Sequence, residues 1–265
     1  MKKVIFFISL FYIFMTLISC QYINDIQNQS HNDNMQTENQ ETIGLLDKYH
    51  NVFYGTIGNK YVCMDIFKNG SEITIDYIEK NSENEHIFTG AIDAYKMIAK
   101  SNMTKEIITA DLKDLYTKNI VKGDIALISG ETTPVNLQMY HASGGPTINE
   151  RYGYGDWAFN TKEVETFVSG LKKAFITHDK QKVSQMIKYP INIYSNGNKT
   201  TINDEQEFIK NYDNIVNSGF LNVISDAYTK FMFSNYQGIM FGEDAYNCWI
   251  NKNDNEGLKV WTINN

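Results

Sequence analysis

Hydrophobic rhythm changes several times along the chain. Residues 4–18 (VIFFISLFYIFMTLI) form an almost unbroken apolar run behind Lys2 and Lys3. A positive start followed by about 15 apolar residues is the pattern of a signal peptide, and it is shorter than the roughly 20 residues that span a bilayer comfortably. Residues 21–42 (QYINDIQNQSHNDNMQTENQET) carry Tyr22, Ile23, Ile26 and Met35 as their large apolar residues, with neither a helical nor a strand period. Such a segment buries too little to fold, so 20–42 reads as a disordered tether reaching about 25 Å as a flexible coil.

From residue 49 to about 154 the period is two. Val52, Phe53, Tyr54 and Gly55 lead through Ile57, Gly58 and Asn59 to a second run, Tyr61 to Phe67, and Asn69-Gly70 turns the chain into Ile73, Ile75 and Tyr77. Asn-Gly between alternating apolar runs is a strong hairpin signal. Further strands are expected over 86–92, 105–112, 125–128 and 135–141, punctuated by Gly90, Gly123 and Gly130, while 93–102 reads equally as a helical turn or a strand. Residues 43–155 therefore predict a small antiparallel β domain. The Gly- and aromatic-rich stretch 144–160 joins it to the C-terminal part of the chain; Gly153-x-Gly155 lacks the third glycine of a dinucleotide fingerprint, with Ala158 in its place.

After Thr161, read as a cap, the period becomes helical. Val164, Phe167, Val168, Leu171, Ala174 and Phe175 make one apolar stripe, a short helix comes next over 180–188 before Pro190, and 204–216 makes a third with Phe208, Ile209, Tyr212 and Ile215 on one side. Strand patterns occupy 191–194, up to Asn196-Gly197, and then 229–234, 238–241, 246–250 and 258–263. Helices first and an antiparallel sheet afterwards predict an α+β domain over 161–265.

Composition narrows the function classes. A chain of 265 residues with 42% hydrophobic and 21% charged residues is globular, and its net charge of −7, deepened by two once Lys2 and Lys3 leave with residues 1–19, repels nucleic-acid phosphates. Arg151 is the one arginine in the sequence, so bidentate phosphate or carboxylate clamps have little material. Cys63 and Cys248 lie in strand-like runs, where a small buried hydrophobe is the commoner role than a disulfide. His31, His50, His86, His141 and His178 are scattered without ligand spacing, so neither a metal nor a cofactor is expected.

Two stretches carry family likenesses. Leu17, Ile18, Ser19 and Cys20 (LISC) behind the apolar run resemble the lipobox of bacterial lipoproteins, which implies lipidation of Cys20 and a membrane-anchored protein of the bacterial cell envelope, facing the periplasm or the cell surface. Several acyl chains at about 0.8 kcal/mol per buried CH₂ make a durable anchor. Met186, Ile187, Tyr189 and Pro190, then Glu207, Phe208, Ile209, Tyr212 and Asp213, then Gln237, Gly238, Ile239, Met240 and Gly242 with Trp249 resemble the nuclear transport factor 2-like superfamily, in particular its bacterial envelope members. That likeness implies a cone-shaped α+β domain whose curved sheet wraps helices around an apolar pocket. The expected fold is thus α+β, a small N-terminal antiparallel β domain followed by a nuclear transport factor 2-like cone. The FYG, KNG and GDIALISG stretches also resemble an envelope β-meander module.

The pocket so implied would be lined by Tyr194, Tyr212, Tyr228, Phe231, Phe233, Asn235, Gln237, Trp249 and Trp261, which is a binding inventory rather than an acid/base pair. Asp213 and Asp226 read as solvated or capping groups, and His178 as a cation at a helix end. Ser184 and Ser195 lack a nucleophile-elbow setting, and no catalytic residue is assigned. A second aromatic candidate is the connector, with Tyr152, Tyr154 and Trp157. The expected function is a non-catalytic binding module with an unknown protein or small-molecule partner; the alternatives are a small-molecule enzyme using the cone pocket, or an inhibitor of an envelope-directed protein such as lysozyme.

Overall fold

Eight consecutive strands, each hydrogen-bonded to the next, close on themselves in the computed structural model. They are β1 (Tyr49–Ile57), β2 (Lys60–Asn69), β3 (Glu72–Glu79), β4 (Glu85–Asp93), β5 (Lys96–Ser101), β6 (Ile107–Asp111), β7 (Ile120–Ala126) and β8 (Thr132–Gly144), with a short helix α1 (Leu115–Lys118) before β7. All pairings are antiparallel, and β8 returns to β1 with Ser143 opposite His50 and Val135 opposite Ile57. The structure describes residues 45–82, 84–153, 159–253 and 256–265, and residues 43–265 form one compact unit. The leader, Cys20, the tether, and Tyr154, Gly155 and Trp157 lie outside the described residues.

Alternation dictates which side of the barrel each residue faces. Phe53, Met64, Ile66, Ile75, Phe88, Met97, Ile108, Val121 and Leu137 belong to one buried cluster that fills the interior. On β4 to β7 the intervening positions, such as Thr89, Lys96, Lys100, Thr109, Lys122 and Asp124, are exposed. Apolar inside and polar outside is the reverse of a membrane-spanning barrel. On β1, β2 and β3 the outward residues His50, Val52, Cys63, Asp65, Asp76 and Ile78 are buried as well, because the rest of the chain covers them. Gly90 and Gly123 do not punctuate strands but lie within β4 and β7. A Cβ there would sit 2.0 Å from the carbonyl oxygens of Ile98 and Thr109 on the neighbouring strands, so their lack of a side chain lets the barrel close tightly.

A six-stranded sheet comes after it in the order β10-β9-β14-β13-β12-β11: β9 (Ile187–Ser195), β10 (Asn198–Ile202), β11 (Ser234–Asn235), β12 (Gly238–Glu243), β13 (Tyr246–Asn253) and β14 (Gly257–Asn264). Four helices accompany it: α2 (Thr161–Ile176), α3 (Lys180–Gln185), α4 (Glu205–Ile215) and α5 (Ser218–Asp226). Asn160, not Thr161, caps α2, and Asp204 caps α4 by accepting from the Glu207 N–H. The hydrophobic stripes of α2, α4 and α5 meet Ile239, Phe241, Cys248, Ile250, Val260 and Ile263 in one continuous core. Tyr152 and Phe159 join that core from the connector.

The expected fold class is overturned. Strands take 49% of the described residues and helices 23%, and the dominant element is a closed eight-stranded antiparallel barrel rather than a cone preceded by a separate small β domain. Period-two patterning revealed most of the strands but not that the first and last of them pair. At element level, α5 occupies a segment with no helix expected, 229–234 is irregular up to Ser234, 96–101 is a strand, and the 180–188 helix ends at Gln185 before Ile187 starts β9.

Candidate functional site

The only arginine of the sequence is the hub between the barrel and the rest. Arg151 succeeds the 3-10 turn Ile148–Glu150 at the end of β8 and is 2% exposed. Its Nε donates to Asp65 Oδ2 at 2.9 Å, one terminal nitrogen to Asp76 Oδ2 at 3.0 Å, and the other to Glu165 Oε1 at 2.8 Å, and Tyr152 Oη donates to the same Glu165 oxygen at 2.9 Å. Above it, the Phe231 ring lies 4.5 Å from the guanidinium carbon. Two barrel strands, the connector, α2 and the segment after α5 therefore converge on one planar cation, the geometry for which arginine is suited and lysine is not.

His50 extends the cluster on the other side of Asp65. Its Nδ1 faces Asp65 Oδ2 at 2.7 Å and its Nε2 faces the Thr147 carbonyl at 3.2 Å. Burial pushes the Asp65 carboxyl up, but His50 and Arg151 outweigh it and hold it below its ordinary range. Of the three carboxylates around Arg151, Asp76 is the odd one: burial raises it to about 7 against the opposing pull of Arg151, with Glu85 and Asp65 pushing it up as well. Glu165 is raised as well, by burial first. Asp65 and Asp76 stand directly opposite each other across β2 and β3, and each leaves its Oδ1 buried without a partner. A proton on Asp76 lowers the charge of this pair and turns one of those orphan acceptors into a donor.

This carboxyl sets a pH dependence. An acid whose folded pKa lies above its unfolded value takes up a proton on folding, so its contribution to stability falls as pH rises from about 4 to about 7 and is flat above. His141 works in the opposite direction over nearly the same window. Burial lowers it to about 4 although the Phe231 carbonyl favours its charged form, so its contribution is lost as pH falls from about 6.5 to 4. We expect Asp76→Asn, which keeps an acceptor for Arg151 without the charge, to stabilise the protein by about 1–3 kcal/mol at pH 8 and to be near neutral at pH 5. Urea melts at the two pH values measure it. Equal effects at both would show that Asp76 holds no proton.

Buried as it is, the hub cannot meet a substrate; beside it the surface opens into a narrow crevice. Tyr54, Tyr140, His141, Tyr228, Phe233 and Glu243 line it, together with Met240 and Lys230, and its free volume is about 20 Å³, little more than one water. Tyr54 stacks on Tyr140 with centroids 4.4 Å apart and lies 5.3 Å from Tyr228; His141 meets Phe233 edge to face at 5.6 Å, and Phe233 meets Trp249 at 6.5 Å. The rings therefore run without a break from the barrel wall onto the sheet. His141 is held by donating Nε2–H to the Phe231 carbonyl at 3.1 Å and accepting from Ser143 at 3.2 Å, which leaves the ring neutral. Glu243 lies beside Tyr54, and its carboxyl is raised by burial and by the neighbouring Asp244 and Asp226.

The residues expected to line a cone pocket are distributed otherwise. Tyr228 and Phe233 reach the crevice, with Trp249 at its edge, and Phe231 covers the hub. Tyr212 is core, its hydroxyl without a hydrogen-bond partner and its ring 5.3 Å from the Lys180 ammonium, and Tyr194 is 40% exposed on β9. Trp261 lies beneath Lys188, 3.2 Å from the ring centroid, and Asn235 and Gln237 bond to each other in the β11–β12 turn. Trp249 and Trp261 fall out of phase with the inward Cys248, Ile250, Val260 and Ile263, so they face away from the helices. Tyr152 is 1% exposed, and Asp213 and Asp226 form surface pairs with Lys180 and Lys80. Cys63 and Cys248 are free and buried.

Sequence reasoning missed Tyr54, Tyr140, His141 and Glu243. The outward phase of Tyr54 on β1 was available, but its neighbour Tyr140 is reached only through the β8–β1 closure and the irregularity at Val52/Phe53. Among the described residues no group of three or more His, Cys, Asp or Glu is arranged to hold a metal ion. No family model matches this sequence, and no curated protein and no solved structure matches it either.

Proposed function

We propose that this is a lipid-anchored bacterial envelope protein that works as a binding module through the ring-lined crevice between barrel and sheet. The observation that carries the binding reading is the contrast between filled interiors and a continuous aromatic surface. The barrel interior and the helix-sheet core are each packed with their own side chains, whereas six rings from Tyr228 to Trp249 cross from one part of the molecule to the other at the surface. Partly exposed aromatic faces supply contact area with little entropy to lose.

The anchor rests on the LISC run at residues 17–20 and the apolar stretch before it. In this reading acyl chains on Cys20 are the means of attachment, and among the described residues no helix is long and apolar enough to cross a membrane. Cys20→Ala in the expressing cell should move the protein from the detergent-extracted membrane fraction to the soluble one and change its mobility. Unchanged fractionation and mobility would remove the anchor.

A further inference from the structure

Resting on the reading of the crevice as a binding site, we infer that residues 228–231 are a gate over it: this strap lifts Phe231 out of the barrel wall as a local unit, and the space it vacates is what lets the crevice take a ligand. With the strap in place the crevice is shut, its free volume of about 20 Å³ being little more than one water. Tyr228 and Lys230 of the strap line it, and so do Ala227, Met232 and Phe233 on either side. Phe231 fills the wall against Val52, Cys63 and Ile78, and Tyr54 and Tyr228 pack on that cluster as well as lining the crevice. Withdrawing the ring therefore deepens the same opening.

The strap is separable from what surrounds it. It has no helix or strand and joins α5 to the two-residue β11. Its flanking residues Ala227 and Met232 belong to the helix-sheet core, and the Lys172 ammonium donates to the Ala227 carbonyl at 2.6 Å, so both ends stay seated when the middle moves. Phe231 belongs to neither main core, and Val52, Cys63 and Ile78 face outward from the barrel, so withdrawal of the ring leaves the barrel interior and the helix-sheet core closed. A small cluster under an irregular segment opens at a fraction of the cost of global unfolding. The closed position is also the strained one, since Phe231 holds φ at +56° there and relaxes once the ring is free. On the barrel side the strap is held by side chains. His141 Nε2–H donates to the Phe231 carbonyl at 3.1 Å, the Arg151 guanidinium carbon lies 4.5 Å from the ring centroid, and Lys230 pairs with Glu85 at 2.7 Å among its other contacts.

The two buried cysteines report the gate, because Cys63 lies against Phe231 and Cys248 lies in the helix-sheet core. The full chain is treated with dithiodipyridine at neutral pH, the label on each cysteine is located by peptide mass spectrometry, and each rate is divided by that of the same cysteine in the urea-unfolded chain. Cys63 should react at least about tenfold faster than Cys248, while the backbone amides of β2 stay protected from hydrogen exchange. His141→Ala, which removes one hold on the strap, should raise the Cys63 rate several-fold and leave the Cys248 rate in place. Equal rates for the two cysteines, loss of β2 protection together with Cys63 labelling, or a Cys63 rate indifferent to His141→Ala overturns the gate. No ligand takes part, so each of those outcomes removes the gate and not the reading of the crevice as a binding surface.

Discussion

Replacing Arg151 by Met should cost about 3–5 kcal/mol of stability at pH 8, the range seen when one partner is removed from a buried ion network. For a folded unit of this size that is a fall in melting temperature of about 10 °C. The loss comes less from missing attraction than from stranding Asp65, Asp76 and Glu165, each of which now receives a guanidinium N–H. Acidification should therefore rescue the variant. Asp76 and Glu165 are already raised, and without the cation they rise further, so at pH 5 they take up protons and the deficit shrinks. Arg151→Lys should recover little, since an ammonium cannot reach three carboxylates on separate elements in one plane. Denaturant melts at pH 5 and 8 decide the matter: a deficit below about 1 kcal/mol, or one that does not change with pH, would mean the cluster is not organised by this cation.

Phe231→Ala should cost a similar amount, about 3–5 kcal/mol, by emptying an apolar contact between the barrel wall and the segment before the sheet. The ring is 1% exposed against Val52, Cys63 and Ile78 of the barrel wall, with Tyr54 and Tyr228 packed beside them, and it also covers Arg151. Phe231 holds φ at +56°, a left-handed conformation that a bulky residue adopts only when its surroundings compensate. Its carbonyl receives His141. The two hydrophobic cores on either side do not include it, so each should survive the substitution. The expected signature is a broadened transition in which fluorescence of the sheet tryptophans and far-UV dichroism no longer coincide. A single coincident transition with an unchanged denaturant slope would show that the halves remain coupled without this ring.

Legibility differed by the range of the information each feature needs. The Asn69-Gly70 and Asn196-Gly197 hairpins, the strands around them, and the apolar stripes of α2 and α4 arise from neighbours in sequence, and the structure has them in place. Closure of the barrel depends on β1 meeting β8, which no local pattern encodes. Gly90 and Gly123 resembled turn residues because a glycine needed for close backbone approach looks the same in sequence as one needed for a turn. The lone arginine was visible as a compositional oddity, but its meaning required Asp65, Asp76 and Glu165 to be brought together from three elements. The aromatic residues named from the sequence are scattered in space: Tyr228 and Phe233 line the crevice and Trp249 meets Phe233 at its edge, while Tyr54 and Tyr140 beside them come from the barrel.

Barrel closure between β1 and β8 also governs how the chain reaches its native state. His50 finds Ser143 only after the whole barrel sequence is present, and closing a loop of roughly 90 residues costs on the order of 4 kcal/mol of chain entropy before any contact repays it. A topology of such high contact order folds slowly, on the millisecond-to-second scale, and β1 and β8 present open edges until they meet. Because Arg151 comes almost immediately after β8, the hub it forms with Asp65 and Asp76 latches the seam from outside soon after closure. During synthesis or export, the interval in which this protein is vulnerable to edge-to-edge association ends when residues 132–151 have joined the rest.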